Sequence, residues 1–144
     1  MNILDMCDSE AASVPVEATA EQAIRAMLDG HVGAVAILDQ EQRVAGIFSE
    51  RDVLRRLSLS ERDPRKISVR EVMTTPVEMA TCATTASEAL ATMVERHYRH
   101  LPIVDDDGRL LGMLSIRNLL QAQVDTLTGQ LDQARAIVLR SVGL

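Results

Sequence analysis

The stretch Gly46-Ile47-Phe48-Ser49-Glu50-Arg51-Asp52 returns 66 residues later as Gly112-Met113-Leu114-Ser115-Ile116-Arg117-Asn118. The match extends outward without a gap, so residues 19–54 fall on residues 85–120. Twelve of these 36 aligned positions are identical, whereas unrelated segments would share about two. The chain therefore contains an internal duplication. Two copies predict a pseudo-two-fold pair with two related clefts between the halves.

The hydrophobic pattern changes twice within each copy, from helical to extended and back. In the first copy it predicts a helix, two strands joined by a hairpin, and a second helix, at 20–30, 34–38, 44–48 and 50–57. The second copy repeats this order at 86–97, 101–104, 110–114 and from 116 onward. Short apolar segments at 14–16 and 77–79 predict one more strand each. The predicted fold class is α+β, with two pseudo-symmetric β-α-β-β-α units packed face to face around one joint core.

The duplication also sets the predicted domain boundaries. Residues 3–58 form the first repeat and residues 69–124 the second. The polar segment between them, 59–68, contains Pro64 and is predicted to be a linker.

A tail of residues 125–144 has no counterpart in the repeat and continues a helical pattern. Its apolar residues are spaced by 4, 3, 4, 3 and 4, at Leu120, Val124, Leu127, Leu131, Ala134 and Val138. This spacing is typical of the apolar seam of a coiled coil. Two interpretations remain open: the tail helix folds back on its own domain, or it pairs with another subunit or protein.

Composition excludes several classes of function. The net charge of −6 and the pI near 5.0 argue against a nucleic-acid partner, and the only aromatic side chains are Phe48 and Tyr98. No apolar run reaches the length of a membrane span, and the N-terminus lacks the features of a signal peptide. We therefore expect a cytoplasmic protein without a membrane association. Cys7 and Cys82 show no metal-ligand spacing and are expected to be free thiols.

The repeated motif lies where a strand ends and a helix begins, and it has two interpretations. Ser49-x-x-Asp52 resembles a capping box, which needs no ligand. The same geometry suits a nucleotide, because a helix N-terminus binds phosphate and a carboxylate one turn later accepts hydrogen bonds from ribose hydroxyls. Capping does not explain the glycine at 46 and 112. A glycine there lets another backbone or a flat ring come close.

These residues resemble a known family. Both β-α-β-β-α units carry the motif Gly-h-x-Ser-x-x-Asp/Asn, where h is apolar. In the second copy, residues 97–105 (His-Tyr-Arg-His-Leu-Pro-Ile-Val-Asp) precede this motif. This tandem arrangement is similar to a pair of cystathionine β-synthase (CBS) domains, also called a Bateman module. Val72-Met73-Thr74 resembles the family's lead-in to a repeat. The resemblance covers about residues 3–124, with both motifs in register.

The resemblance implies two clefts that bind adenosine-containing ligands: AMP, ADP, ATP or S-adenosylmethionine. One cleft would use Ser49 for phosphate and Asp52 for ribose, and Thr74 and the backbone around Met79 and Ala80 would flank the base. Tyr98 and Arg99 would join this cleft from the start of the facing strand. The other would use Ser115 and Asn118, with the backbone around Ser13 and Val14 and with Val32-Gly33-Ala34. Arg99 and His100 are the expected phosphate-facing cations. Asn118 replaces the ribose carboxylate, so the second cleft is expected to bind more weakly.

The function that the resemblance implies is a non-catalytic regulatory module that changes repeat orientation, or dimer or partner contacts, when a nucleotide binds. It also implies a homodimer, and an unidentified protein target is expected because no catalytic domain is attached. The sequence contains no arrangement of nucleophile, base or metal ligands that indicates an enzyme. His31 and His97 occupy equivalent helix ends and are assigned a structural role there. A scaffold that dimerises or binds a partner without any ligand remains the alternative.

Overall fold

The computed structural model describes residues 2–7 and 11–143 and has a mixed α+β fold, as the sequence predicts. The first repeat contains β1 (Ser13–Pro15), α1 (Ala20–Gly30), β2 (Ala34–Leu38), β3 (Val44–Ser49) and α2 (Glu50–Asp52), which continues as a π-helical turn (Val53–Leu57). The second contains α3 (Ala86–Arg96), β4 (His100–Val104), β5 (Leu110–Ser115) and α4 (Ile116–Ser141). Each repeat begins with a lead-in segment that contains a 3₁₀ turn, Ile3–Met6 in the first and Val69–Glu71 in the second.

The strand register follows the duplication residue by residue. β2 and β3 pair antiparallel with Ala34 opposite Ser49, and β4 and β5 pair antiparallel with His100 opposite Ser115. Each pair shifts register at the same repeat position, after Ile37 and after Ile103. The two strand-to-helix junctions therefore have the same geometry.

The first strand of the two repeats differs. β1 pairs parallel to β2, whereas the segment 77–79 forms no strand in the described structure. Only a single parallel bridge, between Ala80 and Ile103, takes the place of β1 in the second repeat. The predicted strand at 77–79 is therefore wrong, because this segment follows Pro76 and makes no continuous ladder with β4.

The expected joint core is also wrong, since the buried apolar residues form two clusters. The halves instead exchange their lead-in segments. Ile3, ahead of β1 in the first repeat, is 1% exposed within the core of the second repeat. The core of the first repeat is completed by residues that precede α3 of the second: Ile67, Val69, Val72 and Met73. Each core is thus closed by a segment that the sequence attaches to the other half.

The repeated glycines are explained by this exchange. A Cβ on Gly46 would lie 2.5 Å from Sδ of Met73 and 3.1 Å from the carbonyl oxygen of Thr74. A Cβ on Gly112 would lie 3.0 Å from Leu4 and 3.2 Å from Sγ of Cys7. At both positions the close neighbour is the exchanged lead-in segment. A glycine is needed where that segment crosses the strand.

Direct contacts also join the two repeats. The amide of Val44 donates to the carbonyl of Gly108 at 3.0 Å, where the two hairpins meet. Arg51 donates from Nη1 to the carbonyl of His97 at 3.2 Å. His97 and its counterpart His31 end their helices in the left-handed conformation, with φ of 60° and 51°. These contacts fix where the second repeat faces the α2 end of the first.

Helix α4 is 26 residues long and continues through the tail without a break. Its buried residue, Leu119, packs in the core of the second repeat. Beyond residue 123, nearly every position up to 143 is exposed. The tail therefore does not fold back on the part of the chain that the structure describes. No described helix is both long and apolar enough to cross a membrane.

Candidate nucleotide clefts between the repeats

Two cavities open between the repeats, one at each strand-to-helix junction. The smaller, called here the Asp52 cleft, has a volume of about 490 Å³ and lies at the β3–α2 junction. The larger, called here the Ser115 cleft, has a volume of about 1120 Å³ and lies at the β5–α4 junction. Residues of both repeats line each cavity. A ligand in either cleft would therefore contact both halves of the molecule.

Asp52 is the centre of a hydrogen-bond network in the smaller cleft. It is only 5% exposed. One carboxylate oxygen, Oδ2, accepts from the Ser49 amide at 2.9 Å and from Ser49 Oγ at 3.2 Å. The other, Oδ1, accepts from Thr74 Oγ1 at 2.8 Å. The structure therefore contains the predicted capping contact between Asp52 and Ser49. Thr74, from the exchanged segment, adds a further hydrogen bond to the same carboxylate.

Arg56 ties the same carboxylate to the second lead-in segment. Its Nε lies 3.7 Å from Asp52 Oδ1. Its Nη1 donates to the carbonyls of Val72, at 3.2 Å, and Met73. Because these carbonyls belong to the segment that closes the first core, Asp52 and Arg56 hold that segment against the cleft.

The corresponding residues of the larger cleft are less engaged. Ser115 Oγ accepts from the Asn118 amide at 3.0 Å and caps α4. The Asn118 side chain forms no hydrogen bond with any residue that the structure describes. The side-chain amide of Asn118 is therefore available to a ligand, whereas most of the hydrogen-bonding capacity of the Asp52 carboxylate is used within the protein.

One wall is common to both clefts and consists of Gly33, Glu50, Arg99 and His100. A Cβ on Gly33 would lie 3.2 Å from Cε1 of His100, so the glycine leaves room for the imidazole. Burial lowers the pKa of His100, Glu50 opposes this shift and Arg99 adds to it. His100 is therefore held toward its neutral form between the two cavities.

Arginine side chains are concentrated around the clefts of an otherwise acidic chain. Six of them line one cleft or both, at Arg51, Arg55, Arg56, Arg96, Arg99 and Arg117. Arg56 pairs with Asp52, and Arg96 pairs with Glu78 at 3.5 Å. The other four form no ion pair with a described residue. The clefts therefore offer an anion unpaired guanidinium groups, which suit phosphate geometry.

Most of the predicted site residues meet in these cavities. The Asp52 cleft brings together Ser49, Asp52, Thr74, Tyr98, Arg99 and His100. The Ser115 cleft contains Ser115, Asn118 and Gly33. Met79 and Ala80 line neither cavity: Met79 is 44% exposed, and Ala80 is buried beside Ile103. Ser13 and Val14 are likewise outside the lining, and Ala11 and Ala12 take their place.

Sequence reasoning missed several lining residues. Arg51 and Arg117 are identical at equivalent positions of the repeat, and that identity was a usable signal. Arg51 joins the repeats, whereas Arg117 lines the larger cleft. Glu50 has no equivalent acid in the second repeat, where Ile116 stands, so no pattern marked it. Its place in the shared wall depends on how the two halves face each other.

A comparison with protein families matches the model for the CBS domain twice, at residues 3–59 and 69–125. The chain is 35% identical over 112 residues to an uncharacterized 17.7 kDa protein of Acidianus ambivalens, covering 78% of this chain and 66% of that one. It is 31% identical to the uncharacterized protein MK0525 of Methanopyrus kandleri, covering 76% of this chain and 55% of the relative. The chain thus spans less than two thirds of these curated relatives.

Solved structures share the fold. A putative signal-transduction protein with CBS domains from Burkholderia ambifaria superposes with a TM-score of 0.77 at 30% identity, covering 85% of this chain and 91% of that one. The CBS domain protein PAE2072 of Pyrobaculum aerophilum, solved with AMP, superposes with a TM-score of 0.75 at 22% identity, covering 82% and 89%. The two family matches together cover well over half of the chain. This chain therefore belongs to the CBS domain family and carries two CBS domains in tandem.

Proposed function

We propose that this protein is a non-catalytic regulatory module that binds an adenosine nucleotide of the AMP, ADP or ATP class between its two CBS domains. The observation that carries this proposal is the set of unpaired arginines in clefts built from both repeats. The AMP bound in the Pyrobaculum protein supports the choice of ligand, since the two chains share the fold. S-adenosylmethionine is the second ligand that we propose to test.

The chemistry of the clefts suits each part of a nucleotide. Arg99 and His100 face either cavity and would contact phosphate oxygens. Apolar side chains flank the polar junctions, with Ile47 and Val77 in the smaller cleft and Ile24 and Met113 in the larger. These surfaces would hold an adenine ring. The residues thus combine a cation, a hydroxyl acceptor and an apolar wall within one cavity.

We propose the Asp52 cleft as the main site, because a carboxylate accepts ribose hydroxyls more strongly than an amide does. The carboxylate already accepts three hydrogen bonds, from Ser49 and Thr74. Ribose binding there would require the Thr74 hydroxyl to turn away. The Ser115 cleft is the second candidate, because its volume is larger and the side-chain amide of Asn118 forms no hydrogen bond with the described residues.

The test is thermal unfolding of the protein titrated with AMP, ADP, ATP and S-adenosylmethionine, followed by calorimetry. A ligand at 100 times its Kd stabilises by about 2.7 kcal/mol, which raises the unfolding midpoint by several degrees. Inorganic phosphate and ribose 5-phosphate serve as ligand controls. A shift with AMP that neither control reproduces would show that the base is recognised, and a shift with phosphate alone would contradict the adenosine proposal.

One substitution tests both clefts together, and two others test each cleft separately. Arg99→Ala should weaken nucleotide binding in either cleft by about tenfold or more, since a charge-assisted hydrogen bond is lost. Arg70→Ala is the matched control, because Arg70 is exposed, forms no ion pair with a described residue and lines neither cavity. Asp52→Asn should reduce affinity if the smaller cleft is occupied, and Asn118→Ala if the larger one is. No stabilisation by any of the four ligands would favour the scaffold that works without one.

Signal transmission would use α4, whose first residues line the larger cleft and whose remainder forms the tail. A ligand that favours one orientation of the repeats would shift the population of tail positions. Hydrogen exchange along α4 with and without saturating nucleotide tests this step. Unchanged exchange beyond residue 125 would contradict it.

We also propose that the protein acts in the cytoplasm as a homodimer, on a protein target still to be identified.

A further inference from the structure

The tail of α4 presents an apolar stripe to solvent. We define the tail seam as Leu120, Val124, Leu127, Leu131, Ala134 and Val138. The large side chains of this seam are 46–63% exposed, and Ala134 is exposed as well. The seam begins beside the second repeat and runs about 27 Å along the helix. Nothing in residues 2–7 or 11–143 covers it.

This helix needs a partner for physical reasons. A helix that projects without tertiary contacts is marginal in water, because packing of its apolar face supplies most helical stability in proteins. Gly129 further weakens the projecting part. The seam spacing is that of a coiled coil, which requires a second helix with the same spacing. The second CBS domain ends at residue 125, so most of this helix lies outside the two CBS domains.

We propose that the partner is the tail seam of a second copy of this chain, packed antiparallel. In an antiparallel coiled coil, each a position of one helix faces a d position of the other, a and d being the two apolar positions of the heptad. The spacing of this seam is symmetric about residue 129, so Leu120 faces Val138, Val124 faces Ala134 and Leu127 faces Leu131 of the partner. All six positions of each helix are then covered by apolar side chains. The interface is isologous, as a two-fold dimer requires.

Charges beside the seam favour this orientation over the parallel one. Asp125 accepts a hydrogen bond from Gln121 Nε2 at 2.9 Å, so these two side chains form one polar group. In the antiparallel arrangement Arg135 of one copy lies beside the Gln121–Asp125 group of the other, and symmetry repeats the contact. In the parallel arrangement Arg135 lies beside the uncharged Gln130. Arg135 has no ion-pair partner among the described residues of its own chain.

Disulfide trapping tests the orientation. In a Cys82→Ser background, which removes the exposed native thiol, single variants Val124→Cys and Ala134→Cys are oxidised separately and as an equimolar mixture. The antiparallel pair places positions 124 of the two chains about 15 Å apart, beyond disulfide reach. A disulfide-linked dimer should therefore form only in the mixture. Linked dimers from each variant alone would show a parallel pair and overturn the proposal.

Sedimentation tests the interface itself. Leu131→Glu should halve the mass of the assembly by weakening association at least about 100-fold, because two carboxylates are buried per dimer. Gln133→Glu introduces the same charge one step off the seam, where it should change association by less than about threefold. Arg135→Asp should also weaken association, and adding Asp125→Arg should restore it. Two results would overturn the proposal. One is a parent protein that stays monomeric at a protein concentration about 100 times a micromolar Kd. The other is an assembly whose mass is the same with and without Leu131→Glu.

Discussion

At the scale of single residues, Asp52 shows how one side chain at the edge of a cleft holds several parts of the fold together. Its carboxylate caps α2 through Ser49 and holds the exchanged lead-in through Thr74 and Arg56. Asn118, its repeat equivalent, contributes only its backbone amide, which donates to the Ser115 cap of α4. The two copies have therefore diverged: one junction is tied into the fold, and the other leaves its side chain available in the cleft.

Replacing Asp52 with alanine should destabilise the protein even without a ligand. The Thr74 hydroxyl and the Ser49 amide, both partly buried, would lose their acceptor, which costs about 1–3 kcal/mol. Asn118→Ala is the matched control, and it should change the free energy of unfolding by less than about 0.5 kcal/mol. Urea unfolding measures both values. Equal effects of the two substitutions would contradict the structural role given to Asp52.

His100 should make stability depend on pH. Burial, opposed by Glu50 and reinforced by Arg99, lowers the pKa of His100 in the folded protein below its usual 6.5. The unfolded chain therefore takes up a proton near pH 6.5 that the folded protein takes up only at lower pH. The free energy of unfolding should fall as the pH drops below this value. Urea unfolding of wild type and His100→Gln over that range measures the effect, and an identical pH slope in both proteins would contradict it.

At the scale of elements, α4 has two unlike halves joined in one helix. The first turns pack through Leu119 on the core of the second repeat and line the larger cleft. Every position from 124 to 135 is exposed, and beyond it, up to residue 143, Ala136 alone is partly covered. The helix therefore extends without a break from the wall of the larger cleft to the exposed tail. Its weakest point is Gly129, which lies in the exposed half.

Gly129→Ala should stabilise the tail helix. No atom outside the helix lies within 4 Å of a Cβ built at this position, so alanine meets no obstacle. The gain in helix propensity is about 1 kcal/mol. Slower hydrogen exchange at residues 125–135 would report the change. Gly46→Ala is the contrasting substitution, because its Cβ would meet Met73 and the Thr74 carbonyl, and it should destabilise by about 1–3 kcal/mol.

At the scale of the whole molecule, exchange of the lead-in segments makes the two repeats interdependent. Ile3 lies in the core of the second repeat, and Val69 lies in the core of the first. Neither repeat, taken as a continuous stretch of sequence, contains its whole core. The clefts between the repeats thus belong to a molecule whose halves are tied together by both chain connection and packing.

Substitutions in the exchanged segments should act on the opposite half. Ile3→Ala should destabilise by about 2–5 kcal/mol through loss of buried apolar atoms, and it should speed hydrogen exchange in β4 and β5. Val69→Ala, its counterpart control, should instead speed exchange in β2 and β3. Native-state exchange followed by mass spectrometry distinguishes the two patterns. If Ile3→Ala changed β2 and β3 first, the exchange of segments would be contradicted.

Much of this architecture was predictable from the sequence. The duplication set the register of both hairpins, since identical residues such as Ile37 and Ile103 lie at identical ladder positions. The amphipathic pattern predicted α1 at its observed bounds. The repeated Ser-x-x-Asp/Asn motif predicted both junctions that the clefts surround. These features depend on residues close together in the chain, and local periodicity therefore reveals them.

The sequence by itself determined the two repeats, their element order and the residue types at the two junctions. Only the tertiary structure decided which lead-in closes which core, because an apolar patch such as 69–73 fits either half by composition. The same holds for Asp52, whose bond to Thr74 joins residues 22 positions apart. It also holds for the wall that Glu50 and His100 share between the clefts. Contacts between distant segments depend on how the two halves are oriented, and no local pattern encodes that orientation.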